Sequence, residues 1–171
     1  MKTLLVTIIL LFALNIQAQE IKWYSFNEIE NLQQTAPKKV FMDVFTDWCG
    51  WCKKMDANTF THPTIVKLMN KYFYAVKLDA EAGDVINYKG TAYKKQNEAK
   101  RTPNDFASLM LNGKMSYPTT VYLDEALNSF GPVPGYLEPK IMEKILTFYG
   151  ENIYKQKTWA DFEKSFIGEI K

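Results

Sequence analysis

The sequence predicts an α/β domain of three layers, a central mixed sheet flanked by helices, and three observations carry that reading. Residues 40–45 and 72–78 are apolar runs of strand length, the first interrupted only by Asp43, as strands buried on both faces should be. Between and after them lie segments whose apolar residues recur at helical spacing. The resulting order is strand-helix-strand-helix-strand-helix-strand-strand-helix, and its first half needs right-handed crossovers into a parallel sheet.

Each element has its own signal. Residues 21–24 are short and apolar-rich, and Ser25 with Glu28 three positions on forms a capping box for a helix that must stop before Pro37. After the strand at 40–45 a helix runs from Cys52 through Met55, and Pro63 opens another that carries Ile65, Val66, Leu68 and Met69. Residues 80–101 hold Gly83, Gly90, five basic side chains (Lys89, Lys94, Lys95, Lys100, Arg101) and few large aliphatics, so they read as a solvated surface insertion, partly helical at most. The run Thr102-Pro103-Asn104-Asp105 caps a helix with Phe106, Leu109 and Met110 that ends at Gly113. Residues 119–123 are β-rich, 124–128 have turn composition, and Pro132 and Pro134 confine 129–136 to a sheet edge. Pro139 opens a helix with Ile141, Ile145, Leu146 and Phe148 on one face, ending at Gly150, and 159–166 offers a last helical stretch.

Composition excludes several classes. A chain of 171 residues, 47% hydrophobic with net charge +2, is neither disordered nor membrane-embedded, and it has no electrostatic reason to bind nucleic acid. Lys2, an apolar run at 4–14 and small Ala18 predict a secretory signal peptide over 1–18, since the run is too short for the ~20 residues of a spanning helix. The expected organisation is then a domain at 19–150 with the insertion at about 80–101, and a helical extension at 151–171 packed on it. The mature protein is expected to be soluble, monomeric and exported, to the periplasm where there is an outer membrane.

The only cysteines, Cys49 and Cys52, enclose a loop too short to staple a fold, so they serve chemistry or metal. Half of a zinc knuckle has this spacing, but the other half is missing and His62 is the only histidine, which reads as a helix-entry residue beside Pro63. Neither metal nor cofactor is expected. Where a buried strand hands over to a helix, the exposed N–H groups and helix dipole favour a thiolate at the first cysteine. Cys49 is thus expected to be the exposed attacking thiol, and Cys52, one turn on and more buried, the resolving one. Asp43, a carboxyl in an otherwise apolar strand, should have its ionised form disfavoured by desolvation and its pKa raised.

The segment Phe45-Thr46-Asp47-Trp48-Cys49-Gly50-Trp51-Cys52-Lys53-Lys54 resembles the active site of thioredoxins, and Tyr117-Pro118-Thr119 resembles their proline loop. The similarity spans about 21–150. Thr59-Phe60-Thr61-His62-Pro63 is closer to exported thioredoxin-like proteins, including the C-terminal domain of the periplasmic transmembrane reductant conductor. The resemblance implies a thioredoxin-like fold and thiol-disulfide exchange. It places Asp43 as the carboxylate beneath the resolving thiol, Lys77 as its lysine neighbour, Pro118 as a cis-proline opposite the disulfide, and Gly135 in the substrate groove, though Gly135 beside Pro134 also reads as turn punctuation. Trp51 stands after Gly50 where the family usually has proline, and Tyr117 is larger than the usual residue before the cis-proline. Trp48 and Trp51, with Gly50 between them, are either an apolar docking rim or a cover over the thiols.

The expected activity is reduction of disulfides in exported client proteins, with a membrane thiol relay as electron donor. Isomerase or oxidase activity, or a non-catalytic chaperone module with a static disulfide, stays open, because Gly50-Trp51 fixes no point on a redox scale spanning roughly 150 mV.

Overall fold

The computed structural model describes residues 20–97 and 99–171; the segment read as a signal peptide lies outside the described residues. A five-stranded mixed sheet forms the centre, in the order β1-β3-β2-β6-β7, built from β1 (Trp23–Tyr24), β2 (Lys39–Phe45), β3 (Phe73–Asp79), β6 (Thr119–Leu123) and β7 (Ser129–Pro134). β1 and β2 both run parallel to β3, while β6 is antiparallel to β2 and β7 antiparallel to β6. The proline-bearing β7 lies at the edge, where missing N–H donors cost no ladder bond.

Side chains alternate along β2 and so divide the core. Val40, Met42 and Val44 join Phe26 and Ile29 of α1 (Phe26–Thr35) and Phe106, Ala107 and Met110 of α4 (Asp105–Met110). Phe41 faces the other way, into Met55 of α2 (Gly50–Asn58), Ile65, Val66 and Met69 of α3 (Pro63–Tyr72), and Met142, Ile145 and Leu146 of α5 (Pro139–Gly150). These two clusters make the three layers. Full burial of each large apolar side chain is worth roughly 1.5–3 kcal/mol. The same alternation turns Asp43 toward the α2 layer, because it shares parity with Phe41.

Local caps follow the sequence. The Glu28 carboxylate accepts the Ser25 N–H and hydroxyl at 2.7 Å, His62 caps α3 with Nδ1 accepting the Thr64 N–H at 3.3 Å, and Asn104 caps α4 by accepting the Phe106 N–H at 2.9 Å.

Three sequence readings change. Among the described residues of 80–101 there is no helix; Ile86–Tyr88 (β4) and Thr91–Tyr93 (β5) form an antiparallel hairpin turned by Lys89 and Gly90, both at positive φ. The hairpin is not merely solvated: Ile86 is buried, and the Tyr88 and Tyr93 rings lie 5.4 and 5.8 Å from that of Phe106. Helix α2 starts at Gly50, not Cys52, because Cys49 itself caps it. Of the four α5 positions expected on one face, Ile145, Leu146 and Phe148 are buried, but Ile141 is 45% exposed and Met142 takes its place in the core.

Beyond α5, a 3-10 turn (Ile153–Lys155) leads to α6 (Trp159–Ser165), whose Trp159 and Phe162 rings each lie 5.2 Å from that of Phe148. No described helix is long and apolar enough to cross a membrane.

Candidate active site

Strand β2 ends at Phe45, and a tight turn at Thr46-Asp47-Trp48, closed by the Cys49 N–H donating to the Thr46 carbonyl at 3.0 Å, delivers Cys49 to the N-cap of α2. Cys49 and Cys52 are joined in a disulfide. Cys49 Sγ accepts the Cys52 backbone N–H at 3.1 Å, so one of the orphan donors of the helix start is aimed at that sulfur, a condition that favours a thiolate there once the bond is reduced. The sequence places Cys49 at the surface, whereas in the disulfide form both cysteines are buried, Cys49 5% exposed and Cys52 1%. Cys49 therefore lies recessed at the start of α2 rather than on a prominence.

Beneath the motif, Asp43 of β2 pairs in register with Lys77 of β3 on one side and Thr120 of β6 on the other. Asp43 is wholly buried; its Oδ2 accepts from Lys77 Nζ at 2.7 Å, while its Oδ1 has no hydrogen-bond partner among the described residues. Burial pushes the Asp43 carboxyl from the ordinary 3.8 up to about 6, against the pull of the Lys77 ammonium. Lys77 also bonds Asp56 of α2 and sits among the rings of Trp23, Phe45 and Phe60, 5.0 to 5.1 Å from their centroids. Asp56 lies one turn after Cys52 on the same helix face, so the carboxylate-ammonium-carboxylate chain runs from under the sheet to the foot of the thiol helix. Its outer end lines a cleft of about 410 Å³ with Trp23 and Phe60.

The Tyr117–Pro118 peptide is cis. The Tyr117 ring meets Trp48 edge-on at 5.8 Å, which sets the proline loop beside the cysteine motif. The Pro118 carbonyl accepts the Gly135 N–H at 2.8 Å, and Gly135 takes φ +98, a conformation other residues rarely adopt. Next to it Tyr136 packs on Trp51 at 5.5 Å, in a loop pinned to α2 by the Thr59 hydroxyl donating to the Leu137 carbonyl at 2.7 Å. Two aromatic walls thus flank the motif, Trp48 with Tyr117 and Trp51 with Tyr136. The indoles remain 53% and 57% exposed, so they form a rim more than a cover.

Every residue singled out in the sequence therefore falls into one region: Cys49 and Cys52 at the helix start, Asp43 and Lys77 beneath, and Trp48, Gly50, Trp51, Tyr117, Pro118 and Gly135 around. Sequence reasoning missed Asp56, Tyr136, Lys54, Glu81 and Arg101. Lys54 Nζ lies 4.7 Å from the Trp51 ring centroid and 5.2 Å from that of Tyr136; Arg101 sits 5.1 Å from Trp48, whose Nε1 donates to Glu81 at 3.1 Å. Asp56 alone had a readable signal, its spacing of four from Cys52. His62 is a helix cap, and among the described residues no group of three or more His, Cys, Asp or Glu is arranged to hold a metal ion.

Solved structures share this fold at low identity. A thioredoxin-fold protein from Helicobacter pylori superposes with TM-score 0.57 at 16% identity, covering 75% of this chain and 79% of its own. A thioredoxin from Thermus thermophilus gives 0.56 at 16% identity, covering 76% and 87%. A putative disulphide-isomerase from Bacteroides thetaiotaomicron gives 0.53 at 23% identity, covering 77% and 94%. No curated protein matches the sequence. The family model Thioredox_DsbH, described as a protein of unknown function, DUF255, matches residues 10–149, and the chain, a thioredoxin-like protein with a CXXC redox centre, belongs to that family.

Proposed function

We propose that the protein is a thiol-disulfide oxidoreductase that reduces disulfides of exported client proteins. The observation that carries the reading is the Cys49–Cys52 pair at the cap of α2, together with a buried carboxyl, Asp43, held at about 6 in the adjoining strand. In the reduced protein the Cys49 thiolate attacks one client sulfur. The client S–S bond breaks, its other sulfur leaves as a thiolate and takes a proton from water, and a mixed disulfide remains. Cys52 then gives its proton to Asp43 and attacks Cys49 Sγ, expelling the second client thiolate and leaving the intramolecular disulfide. Two electrons pass to the client. With its pKa at about 6, Asp43 is roughly nine-tenths ionised at pH 7 and so able to accept that proton.

The buried Asp43–Lys77 pair favours the reducing direction over oxidation or isomerisation, and a reductant outside the cell interior needs its electrons delivered. A membrane thiol relay is the proposed donor, and the periplasm the proposed location. The recessed sulfurs favour one second reading, a groove-binding module with a static disulfide. Turbidity of insulin reduced by dithiothreitol separates them: the wild-type chain accelerates precipitation and Cys49→Ser does not. Equal slow rates from both would remove the enzymatic reading. Equilibration of the pair with glutathione sets the direction, a potential near thioredoxin's about −270 mV supporting a reductant and one near about −120 mV an oxidant.

A further inference from the structure

The two aromatic walls that flank the cysteine pair differ in charge. On the Trp48 side, Trp48 Nε1 donates to Glu81, the Glu81 N–H donates to Asp79 Oδ1 at 2.9 Å, and Asp47 is close enough to raise the Asp79 pKa, although desolvation is the larger cause. Arg101 over the Trp48 ring and Lys95, whose charge pulls the Asp79 pKa down, offset two of these three carboxylates and leave the group acidic by one. Across the disulfide the sign reverses: Lys54 lies against both Trp51 and Tyr136, and among the described residues it makes no ion pair. Its ammonium thus lies against the aromatic wall and is not held by a carboxylate among the described residues. The wall itself is fixed, since Thr59 and the Gly135–Pro118 bond tie its loop to α2 and to the proline loop.

We infer that the Trp51–Tyr136–Lys54 wall is a specificity site, selecting client segments that place an apolar side chain and an acidic one beside the reacting cysteine. The inference rests on the reductase reading above. The half-exposed Trp51 face takes the apolar side chain, an anchor of the kind that dominates small interfaces. Lys54 takes the carboxylate, and the acidic group at Trp48 disfavours the same client bound in the reversed orientation.

The test uses the pre-reduced protein in single turnover against homodimeric disulfides of short capped peptides, in which cysteine is flanked by Phe and by Asp, Asn or Lys. Each rate is divided by that of dithiothreitol on the same peptide, which removes the intrinsic effect of charge on the disulfide. The Asp peptide should then react about three- to tenfold faster than the Lys peptide at low ionic strength, the range expected for one partly exposed charge contact made or reversed. The ratio should fall toward one near 1 M salt, where screening acts within about 3 Å. Lys54→Met should abolish the preference and Lys54→Glu invert it. A ratio of one in the wild type, or a preference unchanged in both variants, overturns the specificity site. No reduction of any peptide, with intact protein by circular dichroism, overturns the reductase reading instead.

Discussion

Asp43 gives the sharpest test of the physical picture, because its burial acts on stability as well as on chemistry. Its carboxyl titrates near 6 in the folded protein against 3.8 ordinarily, and one unit is worth 1.36 kcal/mol, so the ionised form costs the fold about 3 kcal/mol relative to the neutral one. A raised value means that the folded state holds the proton more tightly than the unfolded chain does. The contribution to stability is therefore fully present below about pH 4 and is lost as pH rises through about 6. Asp43→Asn keeps a neutral group of the same shape at every pH, and Lys77 retains Asp56 as a partner. Urea unfolding of the oxidised proteins from pH 4 to 8 should show the variant gaining about 2.4 kcal/mol over wild type, with most of the change between pH 4 and 6. Groups far from position 43 cancel in the difference. A difference flat with pH would mean that Asp43 does not titrate there. A variant that instead loses ground as pH rises would mean that the Lys77 pair outweighs desolvation, reversing the argument.

Two further outcomes are expected. Cys52→Ser should accumulate client mixed disulfides on non-reducing gels that dithiothreitol releases, while Cys49→Ser traps few or none; equal trapping by both would reverse the assignment of roles. The buried Glu143 carboxylate of α5 accepts the N–H groups of Glu169 and Ile170 at 2.5 and 3.1 Å, so Glu143→Ala should free residues 168–170 to faster hydrogen exchange at a cost of about 1–3 kcal/mol. Unchanged protection there would show that the aromatic packing of α6 alone holds the segment.

The layer architecture was legible because the strands that build it are buried on both faces and so read as unbroken apolar runs. Asp43 stood out for the same reason, as the single polar residue in such a run. The hairpin at 86–93 had its turn signal in Lys89-Gly90, but its buried surface is carried by Ile86 and two tyrosines, and a reading weighted toward large aliphatics passed over it. The rim was harder. Tyr136 meets Trp51 from 85 positions away and Arg101 meets Trp48 from 53, contacts set by strand order and loop course that no local pattern encodes. Asp56 lies between these cases: helical spacing put it below Cys52, but only the β2–β3 register reveals that Lys77 joins it to Asp43.

The two oxygens of Asp43 sharpen the case for a chemical role. Oδ2 is held by Lys77, and Oδ1 is buried without a partner among the described residues. A carboxylate kept for the fold alone gains from having both oxygens satisfied, since a buried acceptor left unpaired costs about 1–3 kcal/mol. Here one oxygen is anchored and oriented by the ammonium, and the other is left with capacity for a proton. That division suits a base that must stay in place while its charge changes. It also means that the destabilisation expected above pH 6 and the proposed deprotonation of Cys52 have one cause, the desolvation of a single side chain in β2. The two effects should then move together: any variant that returns the Asp43 inflection toward 4 should raise stability at pH 7 and slow release of the mixed disulfide.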